Sequence, residues 1–366
     1  MGRPVRATAI VALTALAIAV PEAIRAHEAT STTRPFAFAS VQSSPPGADI
    51  SWTPPAYVNV NAFREQPVTI VTDGRWYLPG TLSLPNGTGP HAAVVLVSGS
   101  GPNDADETVG TTKVFKDLAW GLASRGIAVL RYPKRTREYG AGSSTNPAAF
   151  TVKDEYVDDA QSAVALLAAR PEIDRKRIVL VGHSEGGYLA PRIATGEAQI
   201  AAIAILDGNT RPVEQSVIDQ LRYLASFGGP NAAALHNELA QVEAQARAID
   251  APDLKPGTSV RLLSATIPSS YLLDLRGYDP GAVAARLTMP IYVAQGGRDY
   301  QVTAADFDRW KTSLAGHANA TLKRYPSLDH LLVSGVGPSR PEQYREPGRH
   351  VSIELVDDLI TWMSGR

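Results

Sequence analysis

Ser184 is the residue best placed for covalent chemistry. It lies in the hexapeptide GHSEGG, residues 182–187, directly after the apolar run 179–181 and before an amphipathic stretch. This order predicts a strand, a sharp turn and a helix with the serine on the turn, where the glycines leave room for a strained backbone. The helix dipole there favours the negative charge that develops when a serine attacks a carbonyl carbon. We therefore predict that Ser184 is a nucleophile; a glycine-rich turn with an incidental serine is the alternative.

A neutral serine hydroxyl is a poor nucleophile, so a base must take its proton and an acid must orient that base. Asp299 follows the predicted strand 290–295, and His330 follows the predicted strand 320–325. The chain order is serine, aspartate, histidine, and each residue falls just beyond the carboxyl end of a strand. This order predicts a triad in which His330 is the general base and Asp299 orients its imidazole.

Other acids and histidines compete for these roles. Asp207 follows an earlier predicted strand and is the alternative orienting acid. Asp329 adjoins His330, but neighbours on one loop seldom face each other as an orienting carboxylate must. His183 is expected to point away from the site and to pack or form hydrogen bonds. Surface roles are expected for four further histidines, which are His91, His236, His317 and His350.

The oxyanion of a tetrahedral intermediate needs two preorganised hydrogen-bond donors. The backbone N–H of Glu185, the residue after the nucleophile, is the first predicted donor. The second is expected after the first strand of the parallel run, in the glycine-rich segment SGSGP, residues 98–102, and the N–H of Ser100 is our choice. A plain loop is the alternative for that segment. The Glu185 side chain is expected to serve the first turn of the helix rather than to act as a second acid.

Residues 131–137, with the sequence RYPKRTR, form a basic cluster near the predicted edge of the site. Such a cluster can bind a substrate carboxylate. Pairing with Asp104, Asp106 and Glu107 on the facing loop is the interpretation that we favour, so we assign no binding site to it.

The pattern of apolar runs predicts how these residues are positioned. From residue 92 to residue 206, apolar runs alternate with amphipathic stretches, which indicates βαβ units with helices on both faces of a mostly parallel sheet. The strand rhythm stops over residues 209–288, where helical patterns predict a cap over the carboxyl edge of the sheet. The predicted core therefore has two parts, residues 58–208 and residues 289–366.

The N-terminal region has the pattern of a secretory signal. Arg3 and Arg6 precede an apolar run that is too short to span a bilayer comfortably, so residues 1–26 are predicted to be a signal peptide. An uncleaved anchor is the alternative. Residues 27–57, rich in Ser, Thr, Pro and Ala, are expected to form a linker or loose arm. The chain is therefore expected in the periplasm or outside the cell, with no stable membrane insertion once mature.

Composition excludes several function classes. The 366 residues include 35 Lys and Arg against 36 Asp and Glu, so net charge gives no reason to expect nucleic acid as a partner. The chain has no cysteine, which removes disulfides, cysteine nucleophiles and thiolate metal sites. No metal site is expected, and composition leaves the oligomeric state open.

The motifs together resemble a known group. GHSEGG at residues 182–187, SGSGPNDADE at 98–107 and the stretch 278–302, which ends in QGGRDYQV, are similar to bacterial carboxylesterases of the α/β-hydrolase fold, in the branch of prolyl oligopeptidase and dienelactone hydrolase. The resemblance implies hydrolysis of short-chain acyl esters through an acyl-enzyme, with no cofactor. One departure is the pair Ser98-Gly99, where many relatives have His-Gly.

Other activities share this triad. A serine peptidase or amidase, an acyl-thioesterase and an acyltransferase are alternatives, because all of them begin with an attack by serine. A peptidase is disfavoured because the chain has no room for a large N-terminal β-propeller. A non-catalytic binding module on a hydrolase scaffold is the alternative from a different class, and the intact triad argues against it.

Overall fold

The computed structural model describes residues 52–365. The predicted signal peptide, residues 1–26, and most of the predicted arm lie outside the described residues. Residues 52–57, which the sequence assigns to the end of the loose arm, contact the core. Trp52 Nε1 donates a hydrogen bond to Asp117 Oδ1 at 2.9 Å, and Tyr57 packs against the main core. These two aromatic side chains have enough apolar area to hold this end of the arm on the core.

Eight strands of the described region form one sheet. They are β1 Phe63–Thr72, β2 Trp76–Pro85, β3 His91–Val97, β4 Ala128–Arg131, β5 Ile173–His183, β6 Ala202–Leu206, β7 Ile291–Gly296 and β8 Ala320–Tyr325. Their order across the sheet is β1-β2-β4-β3-β5-β6-β7-β8. Strands β1 and β2 are antiparallel to their neighbours. The other six strands, including β3, are parallel to one another.

The central strands are buried on both faces, as their apolar sequences predict. Every residue of β3 after His91 is buried, and so is every residue of β4 and of β6. Crossover helices must therefore cover both faces, which is the usual setting of a parallel sheet. The carboxyl ends of β5, β7 and β8 meet at one edge of this sheet, the edge where the predicted site residues lie.

Ten α-helices occur in the described part of the chain. They are α1 Val114–Ala123, α2 Arg135–Tyr139, α3 Asp158–Ala168, α4 Glu185–Ala194, α5 Val213–Ala225, α6 Ala232–Asp250, α7 Ser269–Leu275, α8 Pro280–Ala284, α9 Ala304–Ser313 and α10 Ile353–Ser364. A π-helical turn, Lys153–Val157, precedes α3, and short 3₁₀ turns cover Gly140–Gly142, Pro147–Ala149 and Pro341–Arg345. None of the helices within residues 52–365 is long and apolar enough to cross a bilayer.

The cap, residues 209–288, is not purely helical as predicted. It holds α5 to α8, but an antiparallel hairpin of Ser259–Leu262 and Ala265–Pro268 separates α6 from α7. Leu263, between these strands, has a φ of 55°, a conformation typical of a tight hairpin turn. Strands of four residues are too short for their alternation to be distinguished from a helical pattern.

A second small hairpin, Thr108–Val109 with Thr112–Lys113, lies outside the cap and follows the glycine-rich loop.

Candidate active site

Ser184 lies on a strained turn between β5 and α4. Its φ is 54° and its ψ is −120°, a combination that L-residues rarely adopt and that persists only where the surroundings enforce it. The Ser184 N–H donates to Leu206 O at 2.9 Å. A Cβ atom on Gly182 would lie 2.2 Å from Gly186 O, and one on Gly186 would lie 2.1 Å from Val97 O. The two glycines therefore allow the chain to pack closely enough to hold the serine in place.

The structure brings Ser184, His330 and Asp299 together. His330 Nε2 lies 3.1 Å from Ser184 Oγ, and His330 Nδ1 lies 2.7 Å from Asp299 Oδ2. The other Asp299 oxygen accepts the N–H groups of Gln301 at 2.7 Å and Val302 at 3.0 Å. Both His330 and Asp299 are buried. This arrangement can take a proton from the serine hydroxyl and stabilise the imidazolium that forms.

Asp207, the alternative acid, has a different partner. Its Oδ1 accepts the N–H of Gly296 at 2.6 Å, which ties the end of β6 to the end of β7. Burial and the nearby charge of Asp299 raise the pKa of Asp207 well above its usual range. Asp207 is thus engaged with the backbone, whereas Asp299 contacts His330 Nδ1. The geometry therefore favours Asp299 as the orienting acid.

Asp329, although adjacent to His330, has a structural role. Its Oδ1 accepts the N–H groups of Leu331 at 3.0 Å and Val333 at 3.2 Å, and its Oδ2 pairs with Arg349. These bonds fix the loop that carries His330, as expected of a residue that does not face the imidazole.

The residues of both predicted oxyanion donors, Ser100 and Glu185, line the same cavity as Ser184. Glu185 is the first residue of α4, and the first N–H groups of an α-helix have no partner within the helix. Gly99, the residue before Ser100, packs directly against Ser184: a Cβ atom added to Gly99 would lie 2.9 Å from Ser184 Cβ. The roles of the Ser100 and Glu185 N–H groups stay predictions that this placement supports.

His183 and Glu107 form a contact that the sequence did not reveal. His183 is buried, but it does not point away from the site as predicted: its ring centroid lies 4.9 Å from that of His330. Its Nε2 lies 2.8 Å from His330 O, and its Nδ1 lies 3.0 Å from Glu107 Oε1. Glu107 also accepts the Gly99 N–H at 2.6 Å. One carboxylate thus connects the glycine-rich loop, through His183, to the loop of the predicted base.

Burial alone would lower the pKa of His183. The Glu107 carboxylate and the carbonyl oxygen of His330 more than offset that effect, and the pKa of His183 is raised above 6.5. The Glu107 carboxylate therefore favours the protonated form of His183 behind the triad. The sequence carries no local signal that pairs these residues, because His183 ends β5 whereas Glu107 lies on the loop after β3.

The basic cluster 131–137 pairs only in part as predicted. Arg131 binds Asp106 at 2.8 Å, as expected, and also Glu65 at 2.7 Å. The expected pairing with Asp104 and Glu107 is wrong, because Asp104 Oδ1 accepts the N–H of Thr108 and Glu107 contacts His183. Two other basic residues of the cluster form ion pairs with acids later in the sequence. Lys134 pairs with Glu155, and Arg135 pairs with Asp159.

A cavity of about 710 Å³ lies between the sheet edge and the cap. Ser184 and Ser100 line its floor, and apolar cap side chains including Val213, Leu272 and Leu275 line its walls. This volume and mixed lining are typical of a small-molecule site.

Three buried groups near Ser184 have metal-ligating atoms within 4.8 Å of one another, namely His183, Asp207 and His330. Both nitrogens of His330 face the triad, His183 Nε2 faces a carbonyl and Asp207 Oδ1 binds a backbone N–H. Their proximity follows from the packing of the triad, and we assign no metal site to them.

Comparison with known proteins identifies the family. The model of the alpha/beta hydrolase family matches residues 94–346, more than half of the chain. The chain belongs to the alpha/beta hydrolase family. This hydrolase is 40% identical over 310 residues to a protein of Thermotoga maritima named Esterase EstD, an alignment that covers 84% of this chain and 69% of the relative. The predicted fold and the resemblance stated from the motifs are therefore confirmed.

Solved structures show the same fold. The hydrolase has a TM-score of 0.54 with Est1E from Butyrivibrio proteoclasticus bound to ferulic acid, at 14% identity, covering 82% of this chain and all of that one. An esterase of Pyrococcus furiosus has a TM-score of 0.50 at 18% identity, covering 77% of this chain and 87% of that one. At these identities, the likeness concerns the fold alone.

Proposed function

We propose that this hydrolase is a carboxylesterase that cleaves short-chain acyl esters through an acyl-enzyme on Ser184. The observation that carries the proposal is the position of His330, with one ring nitrogen 3.1 Å from Ser184 Oγ and the other 2.7 Å from Asp299 Oδ2. The 40% identical relative that is named an esterase supports the same reaction class.

In the first half-reaction, His330 Nε2 takes the proton of Ser184 as Oγ attacks the ester carbonyl. The negative charge moves to the former carbonyl oxygen, where the N–H groups of Glu185 and Ser100 stabilise it. The tetrahedral intermediate then collapses, the bond to the alcohol oxygen breaks, and His330 donates its proton to that oxygen. The products are a free alcohol and an ester of Ser184.

In the second half-reaction, His330 takes a proton from water as the water oxygen attacks the acyl-enzyme. A second oxyanion forms at the same two N–H groups; on its collapse the bond between the acyl carbon and Ser184 Oγ breaks, His330 donates its proton to Oγ, and the carboxylic acid leaves. Asp299 stays ionised and stabilises the imidazolium in both halves.

The cavity supports a small, largely apolar acyl or alcohol group. Most of its apolar lining, including Val213, Leu272 and Leu275, comes from the cap, and the reacting serine lines the same cavity. Because the cap supplies most of this lining, we propose that residues 209–288 set the preference among esters.

The experiment compares p-nitrophenyl acetate, butyrate and octanoate with a matched anilide and a matched thioester, using wild-type protein and Ser184→Ala. We expect esters to be cleaved fastest and Ser184→Ala to lose activity by a factor on the order of 10⁴ to 10⁶. Faster cleavage of the anilide would favour a peptidase, and faster cleavage of the thioester would favour a thioesterase. Wild-type activity in Ser184→Ala would contradict the proposal.

We also propose that residues 1–26 direct export and are then removed. The basic start and short apolar run of that segment support this. The intact mass of protein recovered from the periplasm or medium is expected to lack about 26 residues, whereas a full-length mass in a membrane fraction would support the uncleaved anchor.

A further inference from the structure

The carbonyl oxygen of Gly99 has an unusual set of donors. Asn103 Nδ2 and the Tyr156 hydroxyl each lie 2.9 Å from it, and Lys134 Nζ lies 3.2 Å from it. All three side chains are buried. Tyr156 has a single proton, for which Gly99 O and Glu185 Oε2 compete at equal distances of 2.9 Å. Lys134 and Asn103 can donate to Gly99 at the same time.

This carbonyl belongs to the peptide unit whose N–H is that of Ser100. In a trans peptide the C=O and N–H bonds point in opposite directions, so donors that hold the oxygen on one side direct the N–H to the other. Ser100 lines the cavity beside Ser184. The preceding peptide is fixed as well, because the Gly99 N–H donates to Glu107 Oε1 at 2.6 Å.

Besides Gly99 O, the Lys134 ammonium contacts one acidic and one hydroxyl group. Its ammonium lies 3.5 Å from Glu155 Oε1 and also donates to the Tyr156 hydroxyl. Burying a lysine is costly unless its donors are satisfied. An ammonium group has three donors, and here Glu155 Oε1, the Tyr156 hydroxyl and Gly99 O accept one each. The buried charge is therefore anchored directly to the loop beside the nucleophile.

We propose that Lys134 and Asn103, assisted by Tyr156, are positioning residues that orient and polarise the Gly99–Ser100 peptide so that the Ser100 N–H is a strong oxyanion donor. A hydrogen bond to the carbonyl of an amide withdraws electron density and strengthens its N–H as a donor. A donor fixed before the reaction costs no reorganisation when negative charge develops. This inference rests on the proposed function, because it assigns a task to the predicted oxyanion site.

The test uses Lys134→Met, which keeps an unbranched side chain one atom shorter and removes its donors, and Asn103→Leu, which removes the amide. The matched control is Arg135→Met, since Arg135 is the next residue, is equally buried, and binds Asp159. Each full-length variant is assayed with p-nitrophenyl butyrate, and concentrations are corrected for folded protein by circular dichroism.

Binding is measured for two ketones with the same alkyl chain. A trifluoromethyl ketone forms a tetrahedral adduct with an active serine, whereas the methyl ketone binds without one. Because the direct loss of an oxyanion donor costs about 10²- to 10³-fold in kcat, we expect Lys134→Met to lower kcat by about 10- to 100-fold with KM nearly unchanged. The Ki of the trifluoromethyl ketone is expected to rise by a similar factor, while that of the methyl ketone stays constant. Asn103→Leu is expected to act in the same direction.

If Lys134→Met does not fold, Asn103→Leu decides alone, because Asn103 has no charge partner to leave unpaired. An unchanged kcat in a folded variant would overturn the inference, and so would equal weakening of both ketones. Arg135→Met is expected to lose stability but to keep wild-type kcat, and a matching loss there would also count against the inference. If wild-type protein cleaves no ester, the proposed function fails; if it does and the variants keep full activity, only this inference fails.

Discussion

The carboxylate of Asp299 holds the imidazole of His330 from the side opposite to Ser184, with Oδ2 2.7 Å from Nδ1. Two backbone N–H groups fix its second oxygen. The acid is therefore rigid before any substrate binds. This rigidity directs Nε2 of His330 towards Ser184 and favours the tautomer with its proton on Nδ1.

Asp299→Asn is expected to lower kcat by about 10³- to 10⁴-fold, because an amide neither stabilises the imidazolium nor enforces this tautomer. Asp207→Asn is the matched control and is expected to keep most of the activity, since an amide oxygen can still accept the Gly296 N–H. Steady-state kinetics with p-nitrophenyl butyrate measure both. The reverse result, with activity lost only in Asp207→Asn, would make Asp207 the acid.

Asp207→Asn also tests the burial of that carboxyl. Because the pKa of Asp207 is raised in the folded protein, the wild type binds a proton on folding and loses stability as pH rises from about 4 towards the folded pKa. The variant lacks this loss, so its free energy of unfolding relative to the wild type is expected to increase between pH 5 and pH 8. Urea denaturation at the two pH values measures it. A difference that stays constant would show that Asp207 is ionised when folded.

His183→Gln is expected to weaken the support of the His330 loop. The raised pKa of His183 means that the stability gained from its charge is present below pH 6.5 and is lost as pH rises through the folded pKa. At pH 6 the variant is expected to lose about 1 to 3 kcal/mol of unfolding free energy, and the deficit should shrink by pH 9. Chemical denaturation checks this, with the exposed His236→Gln as control. A deficit that is the same at both pH values would contradict the role of charge.

Gly186→Ala is expected to destabilise the fold by about 3 kcal/mol, because the added Cβ would meet backbone atoms that cannot move away. The nearest is Val97 O at 2.1 Å. Gly316→Ala is the matched control, since no atom lies within 4 Å of its added Cβ, and its stability is expected to stay within about 0.5 kcal/mol of wild type. Thermal denaturation compares the two. A Gly186→Ala variant of normal stability would contradict the tight packing at the turn.

The convergence of Ser184, Asp299 and His330 could be predicted from sequence because each follows a strand, and parallel strands end at one edge of a sheet. Turn glycines and apolar runs are local signals, and they place the strands before Asp299 and His330 to within one residue of Ile291–Gly296 and Ala320–Tyr325. Local signals also placed Ser100 beside the nucleophile.

The contacts behind the triad could not be predicted in this way. Glu107 and His183 meet only because the loop after β3 folds back over the end of β5, and no local pattern encodes that path. In sequence, Lys134 belongs to one basic run with Arg131, but Arg131 binds the acidic loop and Lys134 binds Gly99 O. Charge patterns show which residues need partners, whereas tertiary packing selects among them. The cap hairpin was missed because its strands are too short to show a period.

The central claim is that Ser184 is a nucleophile activated by His330, and covalent labelling tests it most directly. Wild-type protein, Ser184→Ala and His330→Ala are treated with a fluorophosphonate, and the adduct is located by peptide mass spectrometry. We predict one adduct on Ser184, none on that peptide in Ser184→Ala, and labelling slowed by roughly 10³-fold or more in His330→Ala. Folded wild-type protein that cleaves esters but carries no adduct on Ser184 would contradict the account.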